Sequence, residues 1–104
     1  MMNNNYLSAL KVKNMFKGLA YEFKLRNIDV NGQKRGCSGF IVNTVTNKIV
    51  YIDTEPCFNA AGLYGNKNNA VMLRSAESLK DYHGGMNQWS SIEGIVALAE
   101  VITQ

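Results

Sequence analysis

Proline and histidine each occur once in the 104 residues and cysteine twice, and no apolar run approaches bilayer-spanning length. Each scarcity removes a class of protein. Without a run of about 20 apolar residues, no membrane-spanning helix is expected. Two cysteines, Cys37 and Cys57, are too few for a disulfide framework, so a reduced, cytoplasmic setting is the expectation. Met1 to Asn5 is polar and lacks the apolar segment of a secretory signal. His83 is the one imidazole, and Cys57, Asp53 and Glu55 show no close ligand spacing such as C-x2-C or H-E-x-x-H. A metal site is therefore set aside and no cofactor is expected. Gly62-x-x-Gly65 is not followed by Gly-Lys-Ser/Thr, and His83-Gly84-Gly85 has no G-x-S-x-G elbow to serve.

What is present is the composition of a globular protein, 46% hydrophobic and 18% charged. That is too apolar for disorder and enough for one modest core. Residues 1–104 read as a single domain without repeat or linker. The charge is uneven. Residues 1–50 carry eight Lys/Arg against Glu22 and Asp29, a balance of +6, and residues 51–104 carry three against six acids, a balance of −3. A dipolar solvated surface produces this pattern, and so does a nucleic-acid contact on the basic half.

Between Tyr6 and Lys17, Val12, Met15 and Phe16 share a helical stripe that Leu19 would extend, and Gly18 stands where a helix stops. Tyr21, Phe23 and Leu25 then alternate with Glu22, Lys24 and Arg26 up to Asn31-Gly32, a strong two-residue hairpin signal. Gly39 to Asp53 reads as two further strands around Thr44-Val45-Thr46-Asn47, with Asn47 in the left-handed position. A two-residue first turn makes paired residue numbers sum to 63, and a three-residue second loop makes them sum to 92. Both place Phe40 and Val42 on a core face with Tyr21, Phe23, Leu25, Val50 and Ile52. Pro56 to Ala61 is expected to form a short helix, Tyr64 to Asn69 a polar loop, and Ala70 to Arg74 a fourth strand. Ser75 to Tyr82 is expected to hold a helical turn. Ser90-x-x-Glu93 has the form of a capping box before Ile92, Ile95, Val96, Ala99 and Ile102 at helical spacing. The expected class is α+β: an antiparallel three- to four-stranded meander with an N-terminal and a C-terminal helix packed on it.

That register leaves a second sheet face of mixed character. Lys24, Arg26 and Arg35 make it basic at one end, and Ile41, Asn43, Ile49 and Tyr51 make it partly apolar at the other. Apolar area of this kind marks an interaction surface. Asp81 to Trp89 adds Tyr82, His83, Met86, Gln88 and Trp89, the densest aromatic and polar loop segment in the chain, suited to contact. Gly36-Cys37-Ser38-Gly39 is similar to the Cys-Ser-Gly start of some papain-like peptidases, which with His83 would imply a thiolate–imidazole pair. Cys37, however, enters a strand rather than a helix N-terminus, and the bland reading is a partly buried strand thiol. The expectation is a small non-enzymatic protein, of the phage or mobile-element accessory kind, acting by protein contact or self-association. A single-stranded nucleic-acid module using Lys24, Arg26, Arg35 and Tyr51 is the second reading, and a Cys37–His83 hydrolase the third.

Overall fold

In the computed structural model, residues 7–30, 32–58 and 70–104 are described. Helix α1 (Ala9–Met15) is followed by strands β1 (Tyr21–Val30), β2 (Gln33–Asn43) and β3 (Ile49–Asp53) and a 3-10 turn at Glu55–Phe58. Strands β4 (Ala70–Ala76) and β5 (Gln88–Ser91) come next, then a 3-10 turn at Ile92–Gly94 and helix α2 (Ile95–Ile102). The strands form one antiparallel sheet in the order β1-β2-β3-β4-β5, an unbroken meander. The class is α+β, with five strands rather than three or four. No helix among the described residues is long and apolar enough to cross a membrane.

The extra strand comes from the presumed capping box. Ser90 and Ser91 lie in β5, opposite Val71 and Ala70, so their backbone groups are committed to the ladder. The Ser90 hydroxyl donates to the Ser91 carbonyl, and α2 starts without a side-chain cap. Strand β4 likewise continues to Ala76, where a helical turn was expected from Ser75, and Pro56 sits in a 3-10 turn. The rest of the expected Pro56–Ala61 helix and the Asn-rich stretch to Asn69 lie outside the described residues. Helix α1 is capped by Ser8, whose hydroxyl accepts from the Lys11 N–H at 3.3 Å. Gly18, at φ 84°, ends the turn that follows. Val12 and Phe16 are buried, but Leu19 lies beyond the glycine and is exposed.

Both helices cover the same sheet face. Val12, Phe16, Ile95 and Ala99 pack there against Cys37, Ile41, Val50, Ile52, Val71 and Leu73, with Phe23 and Leu25 at the margin. This reverses β2 relative to the sequence reading, and two local events explain the reversal. Beside the first turn, Asp29 pairs with Lys34 and Val30 with Gln33, which keeps the sum of 63. Between Ile28 and Asp29 the register then shifts, leaving Arg35 as the extra residue of a β-bulge, and from Ile28–Gly36 onward the sum is 64. The second loop is one residue longer than expected: β2–β3 pairs sum to 91, with Val42 opposite Ile49 and Phe40 opposite Tyr51. Asn43 lengthens it by accepting from the Val45 and Thr46 N–H groups at 2.9 and 3.2 Å, an Asx-type turn that Asn47 closes at φ 63°. One residue of slip turns every side chain of a strand to the other face. Phe40 and Val42 therefore leave the helix-covered core, and Ile41 and Cys37 enter it.

The same Asn43 ties this turn to the end of α2. Its Nδ2 donates to the Thr103 carbonyl and hydroxyl oxygens at 3.3 and 3.2 Å, and the Thr46 hydroxyl donates to the Thr103 carbonyl at 2.7 Å. On the other side of the core, Thr54 is fully buried. Its hydroxyl accepts from the Cys37 N–H at 2.8 Å and lies within donating distance of the Leu7 carbonyl, at 3.1 Å.

Candidate functional site

The face opposite the helices has its own small core. Alternation along the strands brings together Phe40, Tyr51 and Met72, with Ile49, Ala76 and Trp89 at its edges. The chain itself supplies the cover. The connection between β4 and β5, residues 77–87, folds back over the face and sets the Tyr82 ring edge-on to Phe40 at 5.2 Å and to Tyr51 at 5.9 Å. Phe40 and Tyr51 are 5.3 Å apart, so the three rings close into one T-shaped cluster. Arginines from two strands clamp it. The Arg74 guanidinium lies 4.4 Å from the Tyr51 centroid and donates to the Tyr82 carbonyl, and Arg26 lies 5.8 Å from the Tyr82 centroid.

Asp81 fixes the shape of this strap. Its carboxylate accepts from the backbone N–H of Glu77 at 2.9 Å, of His83 at 3.2 Å and of Gly84 at 2.6 Å. The two glycines that follow are required by space. A Cβ on Gly84 would meet an Asp81 carboxylate oxygen at 2.2 Å, and one on Gly85, at φ 75°, would meet the Ser75 carbonyl at 2.6 Å. The N–H groups of Glu77, then His83, then Gly84 hold the Asp81 carboxyl below its ordinary 3.8. A depressed carboxylate stabilises its fold above the ordinary value, and that contribution is lost as the pH falls through the lower folded value. The Tyr82 ring protons, shifted by Phe40 and Tyr51, are expected to move toward free-tyrosine positions as the pH drops below 3.8. An Asp81→Ala variant should show the released positions at neutral pH. Tyr82 ring shifts in Asp81→Ala that match those of the wild type at neutral pH would remove this account of the strap.

A polar row runs beneath. Arg26 Nε donates to the Ser38 hydroxyl at 3.3 Å, and Ser38 stands opposite Asp53 in the ladder. Burial raises the Asp53 carboxyl above its ordinary value, offset by the Glu55 N–H that it accepts at 2.9 Å. Burial also raises the Tyr51 hydroxyl, with the nearby Asp53 charge adding to the shift. Beside the strap, a groove of about 280 Å³ is lined by Lys24, Arg26, Ser38, Phe40, Leu79 and Tyr82.

Of the residues singled out from sequence, Lys24, Arg26, Ile49 and Tyr51 lie on this face. Ile41 does not: it is 0% exposed beneath the helices. Asn43 also faces the helix side, bonded to Thr103. Arg35 is the bulge residue, and its side chain lies outside the described ones. Tyr82, His83 and Met86 are in the strap, Gln88 is exposed on β5, and Trp89 packs half-buried against the Met72 cluster. The sequence reading missed Phe40, Arg74, Leu79 and Asp81. The alternation Met72-x-Arg74-x-Ala76 and the Asp81-x-x-Gly84-Gly85 spacing were the available signals for Arg74 and Asp81.

Cys37 and His83 are not brought together. Cys37 points into the helix-covered core, and His83 sits in the strap on the opposite face. Burial pushes the Cys37 thiol up to about 12 and the Cys57 thiol to about 11. Because the thiolate is the reactive form, iodoacetamide at pH 8 should label the folded protein only as fast as it unfolds, and label both cysteines promptly in urea. Labelling of Cys37 in the native state at a free-thiol rate would contradict this burial. Among the described residues, no group of three or more His, Cys, Asp or Glu side chains is placed to hold a metal ion.

Comparison of the chain with protein-family models, curated proteins and solved structures gave no match in any of the three. The functional reading rests on the geometry of the strap and the face beneath it.

Proposed function

We propose that this protein works by contacting another protein through the β4–β5 strap, as a small accessory domain that occupies a partner's surface without chemistry of its own. One observation carries the reading. Leu79, Tyr82 and Met86 are 41%, 44% and 81% exposed, and they stand within eight residues of a loop locked by Asp81 and Arg74. Exposed apolar side chains on a rigid loop are anchors that lose little conformational freedom on binding. The adjoining groove, with Lys24 and Arg26 on its wall, suits a partner segment that places a carboxylate beside an apolar side chain. Single-strand nucleic-acid binding has less support in this geometry. Tyr51, the ring intended for base stacking, is 8% exposed beneath Arg74 and Tyr82.

The test is capture from a relevant lysate by the wild-type chain and by a Leu79→Ser/Met86→Ser variant. Both residues are exposed, so the variant keeps its fold, which circular dichroism checks. A protein retained by wild type and lost by the variant is expected. Identical capture by both chains, or salt-sensitive oligonucleotide binding by both, would overturn the reading.

A further inference from the structure

Strand β1 is an outer strand of the sheet, and among the described residues no strand pairs with its free edge. The direction of its backbone groups follows from the ladder. The Thr44 N–H donates to the Ala20 carbonyl at 2.9 Å, and the constant sum of 64 carries that phase along the strand to Ile28. Even-numbered residues from Glu22 to Ile28 therefore turn their backbone groups toward β2, and Phe23, Leu25 and Asn27 turn theirs outward. Glu22, Lys24 and Arg26 stand exposed on the strap side, and Phe23 and Leu25 are half-buried on the helix side. The central part of this edge, Tyr21–Ile28, carries no proline or bulge. Those are two of the devices that keep an edge from pairing; a third, charged side chains, is present as Glu22, Lys24 and Arg26, so any pairing must match their signs.

We infer that β1 pairs antiparallel with β1 of a second copy, about a two-fold axis at Phe23, joining two sheets into one. Symmetry narrows the choices. A two-fold axis normal to the sheet keeps equivalent faces together, so paired residue numbers must sum to an even value. Outward-turned odd residues then meet odd residues, as the hydrogen bonds require. The charges decide among the remaining registers. A sum of 44 sets Glu22 against Glu22, 48 sets Lys24 against Lys24, 50 sets Lys24 against Arg26, and 52 sets Arg26 against Arg26. A sum of 46 sets Glu22 against Lys24 on both sides of the axis, with no like charges opposed. It also places Phe23 on Phe23 and Tyr21 on Leu25, covering the half-buried margin of the core.

Sedimentation equilibrium of the full chain is expected to show a reversible dimer. Glu22→Lys alone, or Lys24→Glu alone, opposes like charges at both facing pairs and should raise the dissociation constant about tenfold or more. The double variant Glu22→Lys/Lys24→Glu restores opposite signs and should return the wild-type value. An equimolar mixture of the two single variants should form a heterodimer, because every facing pair in it is again opposite. Both residues are exposed, and circular dichroism confirms that the variants fold. A chain that stays monomeric to high concentration would overturn the inference, as when the edge takes an extended segment of another protein instead. So would a dimer indifferent to the single changes, or a double variant no tighter than the singles.

Discussion

Gly39→Ala is expected to destabilise the protein by about 3 kcal/mol or more, measured from urea unfolding midpoints. Gly39 lies in β2 opposite Leu25, at φ 143°, a conformation that side-chain-bearing residues rarely adopt. An added Cβ would stand 2.1 Å from the Lys24 carbonyl oxygen and 3.0 Å from the Leu25 Cα. These are backbone atoms in the middle of a ladder, and they cannot swing aside as a side-chain tip does. The strand pair would have to part where β1 meets the sheet. Gly32→Ala is the control. Its φ of 79° is also left-handed, but among the described residues nothing lies within 4 Å of the added carbon, so the change should cost only about 1 kcal/mol. Equal losses at the two positions would mean that the close approach of β1 to β2 is wrong.

Ile41→Ala should cost about 3 to 4 kcal/mol, against about 1 kcal/mol for Val42→Ala. The residues are adjacent and chemically alike; strand alternation puts them on opposite faces, and the bulge at Arg35 and the Asn43 turn decide which one faces the helices. Ile41 is fully buried in the cluster beneath α1 and α2, where the truncation leaves a void. Val42 stands half-buried on the other face beside Ile49. The register inferred from the two turns alone has these costs reversed. Comparing the two unfolding midpoints therefore reads out the register directly, and a larger loss at Val42 would overturn the one described.

This pair also shows where sequence reasoning runs out. The helices, three hairpin strands and the positions of both turns, though not the length of the second, were legible because each depends on neighbours a few residues away: Gly18, Gly32 and Asn47 act locally. The face of β2 was not legible, since Phe40 and Val42 suit a core as well as Ile41 does. Alternation cannot choose when both faces are apolar. What chose was a bulge together with a second loop one residue longer than its sequence suggests, and nothing in Gln33-Lys34-Arg35-Gly36 announces the bulge. β5 was hidden for a related reason. A serine followed three residues later by glutamate serves equally as a helix start or a strand end, and the partner that decided, β4, is distant in sequence. The site was half legible. Tyr82 and the residues around it stood out by composition, but their position over Phe40 and Tyr51 depends on Asp81 folding the loop back.

The bulge at Arg35 gives the second strand a property unlike that of its neighbours. Residues 36–43 hold a sequence that makes sense in either of two frames, and an unpaired residue at one end and the length of the Asn43 turn at the other together set which is used. An insertion or deletion between Gln33 and Gly36 would therefore set the frame demanded by β1 against the frame demanded by β3. It would leave the composition nearly untouched while forcing β2 to break with one neighbour or turn over. Point changes in the same stretch leave the frame alone. Variation in length at this hairpin, rather than variation in residue type, is thus the change to which both the core and the contact face are most exposed.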